Sequence, residues 1–244
     1  MKKLIAILLV VACMLVMASC SMPDSGALDD ILNPSSGADT QKVLDDLSAL
    51  IRKSSPSKSE VSTAVGNADV SLNSKETTVM GEVSGKTASL YVKEYETLND
   101  LGAASTSKTL ITEREEFVDG YGVRVDGGAW EDIPNPIRAI IPYRINLDAS
   151  LIQGFKVNAD KTSYEFAVPL KNVATVLSGI DVSTIISDVA VVIETDGAAV
   201  TRIGLSYAMK DIALDASSKM TNCKVSIDAR YSYDLQSITL VDKK

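Results

Sequence analysis

Cys223, Val225, Ile227, Ala229, Tyr231 and Tyr233 alternate with Lys224, Ser226, Asp228, Arg230 and Ser232. Successive side chains of an extended strand point to opposite faces, so this run has one apolar face and one wet face. Wound as a helix, the same residues would scatter around the circumference. The period recurs upstream. Ile203, Leu205, Tyr207 and Met209 alternate with Gly204, Ser206 and Ala208, and Ile212, Leu214 and Ala216 continue the pattern. A strand over 189–195 meets a return strand over 200–209 through Asp196-Gly197, a dipeptide suited to tight hairpins. Neighbouring alternating segments joined by short turns predict antiparallel sheet covered on one face. Within that pattern Cys223 reads as a small buried hydrophobe.

The preceding chain divides by pattern. Leu44, Leu47, Leu50 and Ile51 share one face of a helix predicted over 40–53, with Asp39 or Thr40 as its cap. From 61 to about 132 the pattern is β-like. Strands are predicted over 77–83, 88–97 and 109–118. A further strand turns at Asp126-Gly127 and returns carrying Trp130. Pro134, Pro136 and Pro142 then break the pattern around Ile137, Ile140 and Ile141. A short helix is expected over 146–153, stopped by Gly154. Phe155 and Val157, the turn Asn158-Ala159-Asp160, and Tyr164, Phe166 and Val168 spell a hairpin. Residues 171–178 read as helical, with Val173, Val176 and Leu177 on one face, and 182–188 as a second piece holding Ile185 and Ile186. The order is helix, strands, helical insert, hairpin, helical insert, strands. It is α+β, and it is not the βαβ alternation of a parallel sheet.

Chemistry-bearing motifs are few. The chain has no histidine, which removes Ser-His-Asp and Cys-His catalysis and His-ligated zinc. Glu113 and Glu115 share a strand face beside Glu116. Such a set can hold a cation or act as paired acids; more commonly it makes a solvated outer face that discourages edge pairing, which is the expectation for these three. Ser55-Pro56-Ser57-Lys58 and Ser105-Thr106-Ser107-Lys108 match Ser-x-x-Lys, but the partner motifs of penicillin-binding enzymes are absent. Gly120 and Gly122 lack the third glycine of a dinucleotide fingerprint. No catalytic residue, metal site or cofactor is expected, and the chain reads as a non-enzyme. A charge of −8 argues against nucleic acid and anionic membrane surfaces as partners.

The amino-terminal residues address the protein. Met1-Lys2-Lys3, an apolar run over 4–16 and Met17-Ala18-Ser19-Cys20 form a secretory signal, too short to remain as a comfortable bilayer span. Met17-Ala18-Ser19-Cys20 resembles the lipobox of bacterial lipoproteins, with Met where Leu is usual. The resemblance implies a signal peptide over 1–19, cleavage before Cys20 and a diacylglycerol on its thiol. It also implies lipid anchoring on the extracytoplasmic face of a cell membrane or outer membrane. Val10-Val11-Ala12-Cys13 is a rival box that would leave a very short apolar core. Loss of Lys2 and Lys3 takes the charge from −8 to −10, so membrane contact would come from the lipid, not from basic residues. Residues 20–39, rich in Ser, Gly, Pro and Asp, read as a tether and 40–244 as one domain.

That domain resembles the half-barrel lipoproteins, which include Lol-type lipoprotein carriers and receptors and actinobacterial lipid-binding lipoproteins. The likeness spans roughly 40–242. It rests on the Leu-rich first helix after lipobox and tether, the strand pair ending in Gly127-Gly128-Ala129-Trp130, and the hairpin over 155–168 with helical segments on either side. It implies a curved antiparallel sheet, an open half-barrel, packed on short helices. It further implies an acyl chain or lipid held between the layers. The lining residues would then be Trp130, Ile137, Ile140, Ile141, Leu151, Ile152, Val173, Val176, Leu177, Ile185 and Ile186. The same residues also suit a filled core, and a structural or interaction lipoprotein of the cell envelope is the alternative. No protein partner is specified.

Overall fold

The structure is a computed structural model. It describes residues 31–32, 37–67, 70–83, 86–99, 106–117, 122–125, 128–129, 131, 140, 142–213, 219–234 and 236–238. The signal, Cys20, Trp130, Ile137, Ile141, Leu214, Ala216 and the Asp126-Gly127 turn lie outside the described residues.

The chain runs β1 (Ile31–Leu32), α1 (Gly37–Lys53), β2 (Lys58–Gly66), β3 (Val70–Val83), β4 (Lys86–Asn99), β5 (Thr106–Phe117) and β6 (Gly122–Val125). It continues with β7 (Gln153–Asn158), β8 (Ser163–Val168), α2 (Val173–Val176), β9 (Val189–Thr195) and β10 (Val200–Met209). Last come β11 (Ile212–Ala213), β12 (Lys219–Met220), β13 (Cys223–Ser232) and β14 (Gln236–Ser237). Among the described residues twelve strands form one open sheet. Its order is β1-β7-β8-β9-β10-β13-β2-β3-β4-β5-β6, with β14 beside β3. Every pairing on the main path is antiparallel; β14 alone runs parallel to its neighbour. β11 and β12 make a separate pair.

β13 joins two blocks that are distant in sequence. Ile227 sits opposite Leu205 of β10 on one side and Thr63 of β2 on the other. Its alternation does what the sequence requires: Cys223, Val225, Ile227, Ala229 and Tyr231 are buried, while Lys224, Ser226, Arg230 and Ser232 are exposed. The wet face carries a cross-strand ion network. Arg202 donates to Glu194 at 2.7 Å and to Asp228, and Arg230 donates to Asp228 at 2.9 Å.

A layer of helix and irregular chain covers the apolar face. Leu44, Leu47 and Ile51 of α1 share one buried cluster with Ile140, Ile145, Leu147 and Ile152, with Val173 and Val176 of α2, and with the inward residues of β7–β10 and β13. Each such side chain contributes roughly 1.5–3 kcal/mol when withdrawn from water. The cluster is therefore what holds the cover on the sheet.

Five expectations change. Ile31 and Leu32, inside the span expected as tether, pair with Asn158 and Val157. α1 begins at Gly37, so Asp39 and Thr40 lie within it and do not cap it. Residues 146–153 are not a helix. The Asp148 carboxylate accepts from Ser150 N at 2.8 Å, Ala149 N donates to Gln41 Oε1 at 2.8 Å, and β7 already starts at Gln153. Side chains here take the amides that a helix would use. Residues 182–188 likewise make only a 3-10 turn over Val182–Thr184: Asp181 caps its start by accepting from Ser183 N at 3.0 Å, and the backbone turns extended at Ile185. Ile185 then bridges Met209 in extended form. The helix expected over 171–178 shrinks to a 3-10 turn over Leu170–Asn172 followed by α2.

Candidate functional site

Among the described residues the apolar layer meets charged chain at the end of α1. Ser54 closes the helix: its N donates to Leu50 O at 3.0 Å and Ile51 O at 3.3 Å, and its Oγ donates to Leu50 O at 2.9 Å. Ser54 Oγ also accepts from Val200 N at 3.1 Å, which ties the helix end to the start of β10. The Tyr233 hydroxyl donates to Val200 O at 2.7 Å and holds the same corner from β13's side.

Facing this corner is the segment around Arg144. Ile145 pairs with Leu177 as an isolated bridge. Ser178 N donates to Arg144 O at 3.2 Å and Asn146 N donates to Val176 O at 2.8 Å. The segment is thus held extended by the chain just after α2. Between it and α1 lies a recess of about 510 Å³. Ile51, Ile140, Ile145 and Leu147 form its floor, and all four belong to the buried cluster. Arg52, Lys53 and Arg144 also line it and are exposed. Ser48, Ser54, Ser55 and Asn146 join a lining that mixes apolar, cationic and neutral polar side chains.

The sequence-predicted lining residues fall into three groups. Ile140, Ile152, Val173, Val176, Leu177 and Ile185 are buried together, and Leu151 packs half-buried against them. Of these, Ile140 alone lines the recess. Ile186 is 49% exposed and stands outside the cluster, because Ile186 N pairs with Ala208 O and the extended strand turns its side chain away from Ile185's. Trp130, Ile137 and Ile141 lie outside the described residues.

The other constellations gain little. Glu113, Glu115 and Glu116 sit on β5 opposite Val92, Leu90 and Ser89 of β4. Among the described residues no group of three or more His, Cys, Asp or Glu is placed to hold a metal ion. Lys58, the lysine of the first Ser-x-x-Lys, is paired with Glu60 at 3.4 Å. Cys223 is buried, its Sγ donates to Met220 O at 3.2 Å, and burial pushes its thiol pKa up, which disfavours the thiolate a nucleophile needs. Burial likewise raises the Tyr143 and Tyr231 hydroxyls.

Arg52, Lys53 and Arg144 were not singled out by sequence reasoning. The basic ending of an amphipathic helix is visible in Arg52-Lys53, but Arg144 reaches them only through the pairing of Ile145 with Leu177. No family model and no curated protein matches the chain. Among the described residues no helix is long and apolar enough to cross a membrane.

Proposed function

We propose that this protein is a non-enzymatic, membrane-anchored extracytoplasmic lipoprotein that holds an acyl chain or lipid between its sheet and the overlying helices. The observation that carries this reading is the recess whose floor is made of buried-cluster residues, Ile51, Ile140, Ile145 and Leu147. A ligand tail entering there would meet apolar side chains of the buried cluster beside the polar residues that share the lining. The open antiparallel sheet with helical cover on one face is compatible with a half-barrel. The Met17-Ala18-Ser19-Cys20 box supports lipidation at Cys20 and placement on a membrane.

A second reading has its own support. Leu44, Ile193 and Ile203 have no exposed surface, so much of the layer between helix and sheet is closely filled. An envelope interaction protein with a solid core would look the same there. Native mass spectrometry after expression in an envelope-bearing host, followed by solvent extraction, separates the two. A stoichiometric co-purifying lipid supports the carrier. A clean apo mass with no uptake of a fluorescent fatty acid overturns it in favour of the filled-core protein.

A further inference from the structure

The cations around the recess have no other work among the described residues. Arg52 and Lys53 occupy the last turn of α1, where basic residues ordinarily serve the helix's negative end. Here that end is already served, since Ser54 N and Oγ take the Leu50 and Ile51 carbonyls. The ion pairs of the described residues use Lys58, Lys75, Arg202, Lys219 and Arg230, and leave Arg52, Lys53 and Arg144 aside. Among the described residues no Asp or Glu lines the recess. Arg52, Lys53 and Arg144 therefore line one recess with no ion-pair partner among the described residues, on a chain whose net charge is −8. Their guanidinium and ammonium donors share the recess with the apolar Ile51, Ile140, Ile145 and Leu147 and with a few serine and asparagine side chains, so the ligand that satisfies both the charged and the apolar part is an anion attached to a hydrocarbon tail.

The geometry points to an anionic head-group site: the carboxylate or phosphate of an amphiphile is held by Arg52, Lys53 and Arg144, with its tail over Ile51, Ile140 and Leu147. This deepens the proposed function and rests on it. Arg52 and Arg144 come from elements separated by the whole β2–β6 block, so the pair forms only in the folded chain. Neutral lipids of equal tail length would forgo the charge-assisted bonds and bind more weakly.

The test uses the full chain in a nonionic maltoside detergent with three probes: oleate, oleyl alcohol and inorganic phosphate. Affinity is read by displacement of a fluorescent fatty acid for the first two, and by calorimetry for phosphate. The wild type is expected to prefer oleate to oleyl alcohol by about tenfold or more. The R52Q/R144Q variant is expected to lose that preference, its oleate affinity falling to that of oleyl alcohol; both positions are exposed, and an unchanged circular dichroism melt checks the fold. R52K/R144K should retain part of the preference. Equal affinity for the two amphiphiles, or an unchanged preference in R52Q/R144Q, overturns the head-group site and leaves the lipid carrier standing. Phosphate binding as tightly as oleate overturns it in favour of a free-anion site. Failure of the wild type to bind either amphiphile overturns the carrier reading as well.

Discussion

The two blocks that flank β13 differ in how their side chains are covered. In β9 and β13 burial follows the pleat: Val189, Val191, Ile193 and Thr195 are buried on one side, and Cys223 through Tyr231 repeat the pattern. In β2 only Ser59 is buried, and the described side chains of β3 from Leu72 to Glu82 are half-buried or exposed throughout. Both blocks hydrogen-bond in long antiparallel register, with β3 and β4 paired over all of Val70–Val83. Backbone pairing therefore does not distinguish them. What differs is the extent of the cover: among the described residues α1, the 140–152 segment and α2 share their cluster with buried residues of β7–β10 and β13, while β2 and β3 reach it only through the partly buried Val61, Val65 and Met80. Ladder hydrogen bonds exchange for bonds to water at small net gain, whereas burial of apolar surface supplies most of the driving force. The β7–β10 block should be the stable part of the sheet.

Paired truncations put the largest strain on that comparison. Ile193→Ala in β9 removes a side chain with no exposed surface and should cost about 3 kcal/mol, within the usual range for emptying a core site. Val92→Ala in β4 removes a half-buried side chain outside the buried clusters and should cost about 1 kcal/mol or less. Urea unfolding of both variants measures the difference. Equal losses would mean that the two blocks are equally packed, and would break the distinction.

A glycine in each block sharpens it. A Cβ on Gly81 of β3 would fall 2.7 Å from Gln236 O and 2.9 Å from Ile238 Cγ1. Gly81 is thus the gap through which β14 and Ile238 approach the sheet, where Ile238 packs with Ala88 in a small second cluster. Gly81→Ala should cost about 1–3 kcal/mol, as overpacking does. It should also speed proteolysis near 234–238. Gly204→Ala in β10 meets nothing nearer than Val192 Cβ at 3.7 Å and should be close to neutral. Limited proteolysis followed by mass spectrometry reads both. A stable tail in Gly81→Ala would show that β14 contributes little to holding the less covered block.

Which parts were legible in the sequence follows from how local each signal is. The alternation of Cys223 to Tyr233 and the hairpins at Asn158-Ala159-Asp160 and Asp196-Gly197 depend on neighbours a few residues away. The structure has them as β13, β7–β8 and β9–β10. In the second hairpin, Asp196 Oδ1 accepts from Ala198 N at 2.8 Å and Ala199 N at 2.7 Å, and Gly197 takes φ +86°. The helices expected over 146–153 and 182–188 failed for reasons that compete with apolar spacing. At Asp148 the side chain takes the Ser150 amide that a helix over 146–153 would use, whereas the segment after Asp181 starts a capped turn and then leaves it at Ile185 to pair with Met209. The insertion of β13 between β10 and β2 joins segments far apart, and no periodicity records it. The recess has the same character. Ile140 was legible as an apolar insert residue, but its meeting with Arg52 and Arg144 depends on Ile145 reaching Leu177.

The smallest effect concerns the wet face of the well-covered block. Burial raises the Asp228 carboxyl, but its bonds to Arg202 and Arg230 outweigh this and hold it below its ordinary value of 3.8. A carboxylate depressed in the folded state stabilises the fold fully above its unfolded value, and that contribution fades as pH falls through the lower folded value. The loss therefore belongs below about pH 4, with neutral pH unaffected. Asp228→Asn should flatten this part of the acid limb of a stability-against-pH curve by less than about 1 kcal/mol, the scale of a partly exposed ion network. Glu60, on the less covered block, is the control. Its carboxyl is also lowered, with burial opposed by Lys58 and Lys75, and its lysine partners lie at 3.4 Å, longer than the Arg230 bond to Asp228 at 2.9 Å. Glu60→Gln should flatten the limb less than Asp228→Asn in low salt. A larger effect at Glu60 would mean that the electrostatics of the sheet are concentrated where its packing is not.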